Sequence, residues 1–200
     1  MSELEKWQPL STEEVKSLFK TSDKSFWISG GWAIDLFLGK QTRIHDDIDI
    51  SIARDDQGYF QDLLNGWDLR VSDPPGSGVL RPWLNQEFLE KPVYNIWSRK
   101  AVDGAWNLEI MLCDFENGEW VYRRNKNIRG PAKEFGWINS DGLKIISPEI
   151  QLLYKSRGSR EKDSQDLQNC LNEFTQNQKD RLRNLILADS GPTHPWVQLI

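Results

Sequence analysis

Two aspartates separated by one residue are the strongest chemical feature of this 200-residue sequence. Asp47 and Asp49 lie in the stretch 46–52, where isoleucines alternate with polar residues as in a β-strand. Because strand side chains alternate between faces, both carboxylates point the same way. Two negative charges at ~4 Å repel by about 4 kcal/mol at an effective dielectric of 20. A divalent cation such as magnesium would offset this repulsion. The alternative is a solvated polar strand face.

A calcium-binding EF-hand loop is excluded by the residues that follow the pair. Such a loop starting at Asp47 requires glycine at its sixth position and glutamate at its twelfth. The sequence has Ile52 and Gly58 at these positions. The aspartates therefore belong to another kind of site.

A glycine pair precedes the aspartates. Gly30 and Gly31 follow a predicted short strand over 26–28 and lead into a predicted helix over 32–38, which Gly39 ends. Without a Cβ, both glycines let backbone N–H groups approach an anion, and the helix N-terminus adds a favourable dipole. A phosphate site and a purely geometric turn are both compatible with the pair. The sequence here is neither a Gly-x-Gly-x-x-Gly dinucleotide motif nor a P-loop with its lysine.

A third acid, Glu109, interrupts a predicted strand over 106–113. The apolar residues of this strand share one face, and Glu109 shares the other with Asn107 and Met111. An unpaired charge near a core is costly. If this strand neighbours the aspartate strand, three carboxylates converge, which suffices for two metal ions or for a metal pair plus a general base. A solvent-facing glutamate on an edge strand is the alternative.

The remaining pattern predicts the elements that position these residues. A capping box at Ser11 and Glu14 begins a first helix, another helix is expected over 59–64, and a Gly- and Pro-rich loop spans 74–82. Further strands are predicted over 67–71, 94–99 and 143–146. Ser147 and Pro148 begin a helical region. The fold class is therefore α/β (α+β), with a mixed-sheet core over 1–146 and a C-terminal helical part over 147–200.

The composition limits the kinds of partner and cellular setting expected for this chain. The net charge is −5, which disfavours a long nucleic-acid backbone as ligand. Cys113 and Cys170 have neither metal-site spacing nor a disulfide framework, the N-terminus lacks an apolar signal core, and no apolar run reaches membrane-spanning length. A reduced cytoplasmic protein without a membrane partner is expected. The ten tryptophans are expected mainly in the core and at its rim.

The glycine pair, the Asp-x-Asp strand and the later acid resemble the nucleotidyltransferase superfamily that includes polymerase β. The resemblance is closest to the aminoglycoside 2″-nucleotidyltransferases and lincosamide nucleotidyltransferases. It rests on the blocks Gly30-Gly-Trp-Ala-Ile-Asp35, Gly39-Lys-Gln-Thr-Arg43-Ile-His45-Asp-Asp47-Ile-Asp49, Leu108-Glu-Ile110, 147–155 and 161–166. It is thin between 55 and 94. A mixed-sheet nucleotidyltransferase core with C-terminal helices is therefore expected.

The resemblance also implies residue roles. Asp47 and Asp49 would hold magnesium, and Glu109 would be a third metal ligand or the general base, where relatives often have aspartate. The residues implied to bind the nucleotide are Ser29, Gly30, Gly31, Arg43, Lys155 and Lys162. Lys162, Asp163 and Asp166 would either orient the nucleotide or pair with each other on a helix.

Three further polar residues have more modest expected roles. His45 fits the family pattern as a structural or a catalytic residue, and the sequence leaves both open. Asp46 is expected to face away from the metal pair, and His194 is expected in a turn.

The implied reaction is in-line attack of a small-molecule hydroxyl on the α-phosphorus of an NTP, here ATP, with pyrophosphate leaving. Two magnesium ions are expected, and an aminoglycoside or lincosamide is the nearest acceptor by analogy. A toxin-like transferase acting on tRNA or protein, and a nucleotide-binding module without catalysis, are the alternatives. Relatives often form dimers, so a homodimer also remains open.

Overall fold

A mixed ten-stranded sheet is the centre of the computed structural model, which describes residues 6–158 and 160–200. Eight strands follow one another in the order β4-β3-β5-β6-β2-β1-β10-β9, and β7 and β8 extend from the end of β6. The strands are β1 (Phe26–Ser29), β2 (Asp49–Ala53), β3 (Asp68–Ser72), β4 (Leu80–Pro82), β5 (Asn95–Arg99), β6 (Leu108–Glu116), β7 (Glu119–Val121), β8 (Arg129–Pro131), β9 (Gly136–Ile138) and β10 (Lys144–Ile146).

Six helices accompany the sheet. They are α1 (Thr12–Leu18), α2 (Gly30–Leu38), α3 (Gln57–Leu63), α4 (Pro148–Ser156), α5 (Glu161–Glu173) and α6 (Gln176–Ser190). The capping box of Ser11 and Glu14 is present, and Gly39 ends α2 in the left-handed conformation. Ser147 precedes α4 as expected, but its hydroxyl donates to the carbonyl of Glu134 instead of capping the helix.

The alternating strands bury one face completely. Ile48, Ile50 and Ile52 are fully buried, as is Ile110 on the neighbouring strand β6. The opposite face of the same two strands carries the aspartates and Glu109, which are only partly buried. The period of two in the sequence therefore separates the core from a polar face, and the mixed α/β fold class is confirmed.

Four strands were absent from the sequence prediction. The end of the loop predicted over 74–82 is strand β4, because its backbone pairs with β3, and three more strands lie between residues 116 and 142. The predicted strand over 106–113 extends to Glu116 and turns back through Asn117 and Gly118, both with positive φ, into β7. An Asn-Gly pair between alternating residues favours a tight hairpin, so the sequence did contain a signal for β7. The very short strands β8 and β9 have no comparable pattern.

The C-terminal helices pack against α2 and against one another. α4 follows β10 directly and contacts α2, α5 and α6. Eight of its nine residues are buried, because three other helices pack around it. The region after residue 146 is helical, as predicted, and α4 reaches the same surface as the acidic strand face. The boundary between residues 146 and 147 stays a prediction.

Candidate active site

One row of side chains crosses four neighbouring strands. In the strand registers Ser29 pairs with Asp49, Asp49 with Glu109, and Glu109 with Trp97. Adjacent strands lie about 4.8 Å apart, so side chains on this row that share a face must meet. The antiparallel pairing of β1 with β2 and the parallel pairing of β2 with β6 therefore bring the first strand, the aspartate strand and the glutamate strand together.

The three carboxylates form a compact cluster. Asp47, Asp49 and Glu109 each offer an oxygen, and these oxygens lie within 4.8 Å of one another. All three residues are partly buried rather than solvated. A set of hard oxygen donors at this spacing matches the preference of magnesium. The alternative of a solvent-facing Glu109 on an edge strand is wrong, since β6 lies between β5 and β2.

Burial and mutual repulsion shift the pKa values of two carboxyl groups in the cluster. Burial, together with the neighbouring carboxylates of Glu109 and Asp47, raises the pKa of Asp49 well above its usual value. Burial also raises the pKa of Glu109, although hydrogen bonds from Asn95 and Trp97 oppose that shift. Like charges this close disfavour full ionisation unless a cation neutralises them.

The glycine pair allows a close approach that no other residue would permit. Gly30 has φ +66°, and a Cβ there would lie 1.9 Å from Oδ2 of Asp49. A Cβ on Gly31 would lie 2.4 Å from both Nη2 of Arg43 and Nδ1 of His45. Both glycines are therefore required by space at the start of α2.

Beside the glycines, one hydrogen-bond donor is already paired within the protein and another is unpaired. The N–H of Gly30 donates to Oε1 of Gln151 at 2.9 Å, which ties α4 to the start of α2. The Ser29 hydroxyl is buried and has no hydrogen-bond partner in the part of the chain that the structure describes. An unpaired buried hydroxyl at a helix start, on the cleft wall, is a polar group suited to an anionic ligand.

Arg43 and Lys155 lie at the site, but both are held by acids of α5. Asp166 accepts from Arg43 at 3.2 Å and lies 2.8 Å from the Lys155 ammonium. Asp163 pairs with Lys155 at 3.2 Å and with Arg160 at 2.7 Å. The alternative in which Lys162, Asp163 and Asp166 pair with one another is absent among the described residues. The two aspartates instead bind Arg43, Lys155 and Arg160. Paired cations still present N–H groups, yet much of their charge is already balanced.

A cleft of about 460 Å³ contains the acidic cluster. Every sequence-predicted site residue lines it: Ser29, Gly30, Gly31, Arg43, Asp47, Asp49, Glu109, Lys155 and Lys162. Lys162 makes no ion pair among residues 6–158 and 160–200. It is thus a cation on the cleft wall with no carboxylate of the described residues within ion-pairing distance.

Several residues in or beside the cleft were missed by the sequence analysis. Asn95 and Trp97 donate to Glu109, Gln151 accepts from Gly30, and Arg123 and Arg160 also line the wall. Asn95 had a usable signal, because a polar residue inside a largely apolar strand resembles the pattern that singled out Glu109. The others come from segments whose proximity to the aspartates is decided only by the tertiary fold.

Cys113 lines the same cleft without the properties of a nucleophile. Burial raises the pKa of its thiol to about 11, against the opposing hydrogen bond with Ser51. A thiol with this pKa is protonated at neutral pH and therefore weakly reactive. Cys113 and Cys170 are both free and buried, in agreement with the absence of a disulfide framework.

The surroundings of the two histidines indicate structural rather than catalytic roles, and Asp46 lies on the surface. His45 is buried, and its Nε2 contacts Oδ2 of Asp35 at 2.5 Å, which favours the structural role. Asp46 is exposed, as expected. His194 begins a short 3-10 turn, where its Nδ1 accepts from the N–H of Trp196.

A family model described as aminoglycoside-2″-adenylyltransferase matches residues 12–72. A 2″-aminoglycoside nucleotidyltransferase of Klebsiella pneumoniae is 41% identical over 80 residues, which are 40% of this chain and 44% of that enzyme. A lincosamide resistance protein of Staphylococcus haemolyticus is 30% identical over 146 residues, which are 71% of this chain and 80% of that protein. The match thus spans less than half of the Klebsiella enzyme but most of the Staphylococcus protein.

Two solved structures share the fold. The lincosamide antibiotic adenylyltransferase LnuA, with lincomycin bound, aligns with TM-score 0.55 and 24% identity over 81% of this chain and 97% of that chain. ANT(2″)-Ia in complex with adenylyl-2″-tobramycin aligns with TM-score 0.55 and 16% identity over 86% of this chain and 93% of that chain. The fold is therefore that of the antibiotic nucleotidyltransferases. With the sequence matches, the chain belongs to the aminoglycoside and lincosamide nucleotidyltransferase family.

Within the described residues, none of the helices combines the length and apolar character needed to cross a membrane.

Proposed function

We propose that this chain transfers a nucleoside monophosphate, AMP from ATP, to a hydroxyl group of a small molecule in a magnesium-dependent reaction. The observation that carries the proposal is the convergence of Asp47, Asp49 and Glu109 within 4.8 Å, beside the glycine pair at the start of α2. Membership of a nucleotidyltransferase family supports it.

The carboxylates would hold two magnesium ions, with Asp47 and Asp49 as ligands and Glu109 as ligand or base. Bound magnesium supplies charge neutralisation for the triphosphate and lowers the pKa of an acceptor hydroxyl. The donor set consists only of carboxylate oxygens, which fits this ion. Like charges that resist ionisation together also favour a cation between them.

The phosphate groups would lie against the start of α2. The unpaired Ser29 hydroxyl and the backbone of Gly31 face the cleft, and the helix dipole favours negative charge there. Lys162, Arg43 and Lys155 would add positive charge and N–H donors. Lys162 contributes most per residue, because the other two already have carboxylate partners.

The chemical step would be attack of the acceptor hydroxyl on the α-phosphorus. A new O–P bond forms, the bond to the bridging oxygen breaks, and pyrophosphate leaves with that oxygen. Glu109 would take the hydroxyl proton. Positive charge around the cleft would stabilise the charge that develops on the phosphate oxygens.

The acceptor proposed is an aminoglycoside or a lincosamide, since relatives of both kinds match this chain. A cytoplasmic setting is proposed as well, because buried free thiols are typical of reducing compartments. A homodimer is retained as a proposal on family resemblance alone.

A transfer assay tests the function directly. Purified protein, magnesium and each NTP are incubated with aminoglycosides and lincosamides, and products are followed by mass spectrometry. We expect one acceptor class to gain the mass of a nucleoside monophosphate, and Asp49→Asn to abolish the product while remaining folded by circular dichroism. Full activity in Asp49→Asn would contradict the assigned site. Tight NTP binding without transfer would favour an inactive relative.

A further inference from the structure

The side chain of Glu109 is one methylene longer than that of an aspartate. It therefore has one more torsion angle that must be held fixed. The neighbouring strand β5 supplies hydrogen-bond donors that hold this longer side chain. Trp97 of β5 pairs directly with Glu109, and Asn95 pairs with Met111 two residues further along. Since side chains two residues apart share a strand face, Asn95 and Trp97 flank the glutamate from one neighbouring strand.

Both residues donate to the same oxygen of Glu109. Nδ2 of Asn95 lies 2.5 Å from Oε1, and Nε1 of Trp97 lies 3.1 Å from it. Two donors on Oε1 leave Oε2 for the carboxylate cluster. Donors aimed at one oxygen also restrict rotation about the last torsion of the side chain, which is otherwise soft.

The two donors are themselves fixed in place. The Trp97 ring makes edge contacts with Trp7 at 5.1 Å and with Trp106 at 5.5 Å between ring centroids. The amide oxygen of Asn95 faces Nη1 of Arg123 at 3.5 Å, which leaves the NH₂ end for Glu109. Arg123 is in turn stacked over the Tyr94 ring at 5.0 Å.

We propose that Asn95 and Trp97 are positioning residues that orient the carboxylate of Glu109 for its role in the metal cluster. This inference rests on the proposed function, since it assumes that the cluster binds a divalent cation. Groups that hold a metal ligand in place are worth about 10- to 100-fold in metal affinity. The assignment gives the glutamate a physical basis, because β5 carries two donors that hold its longer side chain in place.

The test measures Mn²⁺ binding to the purified full chain by electron paramagnetic resonance, without nucleotide or acceptor. We expect Asn95→Ala and Trp97→Phe each to weaken Mn²⁺ binding by about 10-fold. Trp137→Phe is the matched control, because its indole N–H is buried without a partner among the described residues and lies on the edge strand β9. This control should bind Mn²⁺ as the wild-type chain does.

A double-mutant cycle separates positioning from general damage. In a Glu109→Gln background, Asn95→Ala and Trp97→Phe should cause no further loss of Mn²⁺ affinity, because the group that they orient has lost its charge. Losses that persist in that background, or wild-type affinity in both single variants, would overturn the assignment. Trp97→Phe keeps an aromatic ring, so a folded variant is available even if Asn95→Ala is unstable; thermal melts monitor both.

The same measurement distinguishes a failure of the proposed metal site from a failure of the positioning role. If the wild-type chain binds Mn²⁺ no better than Asp49→Asn, the metal site itself, and with it the proposed function, is contradicted. If binding depends on Asp49 but not on Asn95 or Trp97, the metal site stands and only the positioning role falls.

Discussion

The carboxylate of Asp49 occupies the space that a side chain at residue 30 would need. Residue 30 comes directly after Ser29, which pairs with Asp49 in the register of β1 and β2, so positions far apart in sequence meet here. Glycine at residue 30 satisfies two demands together, a positive φ and the absence of a Cβ. Gly31 answers to other neighbours, because a Cβ there would meet Arg43 and His45.

Gly30→Ala is predicted to disable the site. The new methyl group would displace the Asp49 carboxylate, and the left-handed backbone would cost about 1–2 kcal/mol. Displacement of about 1 Å at a reacting centre can lower a rate about 100-fold, so we expect at least that loss of transfer. Steady-state transfer and Mn²⁺ binding are the measurements.

Gly58→Ala is the control for this substitution. Gly58 lies inside α3, and an added Cβ there meets nothing within 4 Å. Alanine favours the helix by about 0.5–1 kcal/mol over glycine, so this variant should be slightly more stable and fully active. If Gly30→Ala were as active as Gly58→Ala, the close approach to Asp49 would be unimportant.

At the scale of elements, strands β3 and β5 are joined by ion pairs of one aspartate with two arginines. Asp68 of β3 accepts from Arg70 on its own strand and from Arg99 of β5, each at 2.7 Å. The Arg99 guanidinium also lies over the Trp106 ring at 4.3 Å. β5 supplies Asn95 and Trp97 to the site, so this pairing stabilises the strand that borders Glu109.

The Asp68 bridge predicts a pH-dependent contribution to stability. Burial alone would raise the pKa of Asp68, but the hydrogen bonds from Arg70 and Arg99 outweigh burial and lower this pKa. The ionised form is therefore the stabilising one. Its contribution is complete above the unfolded-state pKa of about 4 and is lost as the pH falls through the lower folded-state pKa.

Urea denaturation of wild type and Asp68→Asn at several pH values checks this prediction. We expect Asp68→Asn to lower the free energy of unfolding by about 2 kcal/mol at pH 7, and the difference to shrink below about pH 4. Asp62→Asn, at an exposed residue of α3, serves as the control and should have little effect at any pH. A difference that is independent of pH would contradict the assigned bridge.

At the scale of the whole molecule, the helical part completes the cleft. Gln151 and Lys155 of α4 reach Gly30 and the α5 acids, while α4 itself follows β10 of the central sheet. Asp166 connects Arg43, in the segment before the aspartates, to the C-terminal helices. The sheet and the helices therefore share buried contacts, including charged ones.

This shared interior predicts one cooperative unfolding transition. Tryptophan fluorescence, which reports on sheet residues such as Trp97, and far-UV circular dichroism, dominated by the helices, should give the same urea midpoint. A C-terminal helical part that unfolds separately would instead give two midpoints. That result would show that the compositional boundary after residue 146 is also a boundary of stability.

The sequence predicted most strands and all six helices because their signals are local: period-two alternation, a capping box, and Gly or Pro at the ends. It missed β7, β8 and β9, two of which lack an alternating pattern, and it placed β4 inside the loop predicted over 74–82. For the cleft it identified all three acids and the glycine pair. It assigned Arg43 and Lys155 to the nucleotide without their partners Asp163 and Asp166, because the positions of these acids depend on how α5 packs.

The sequence by itself determined the chemistry available to this protein. Strand alternation places Asp47 and Asp49 on one face, and the position of the glycine pair between a strand and a helix is visible in the sequence alone. The tertiary structure decided which distant groups join them. Strand order sets Glu109 beside Asp49, and β5 brings Asn95 and Trp97 to Glu109. Strand order and register depend on the packing free energy of the whole sheet and its helices, which no single segment of the chain contains.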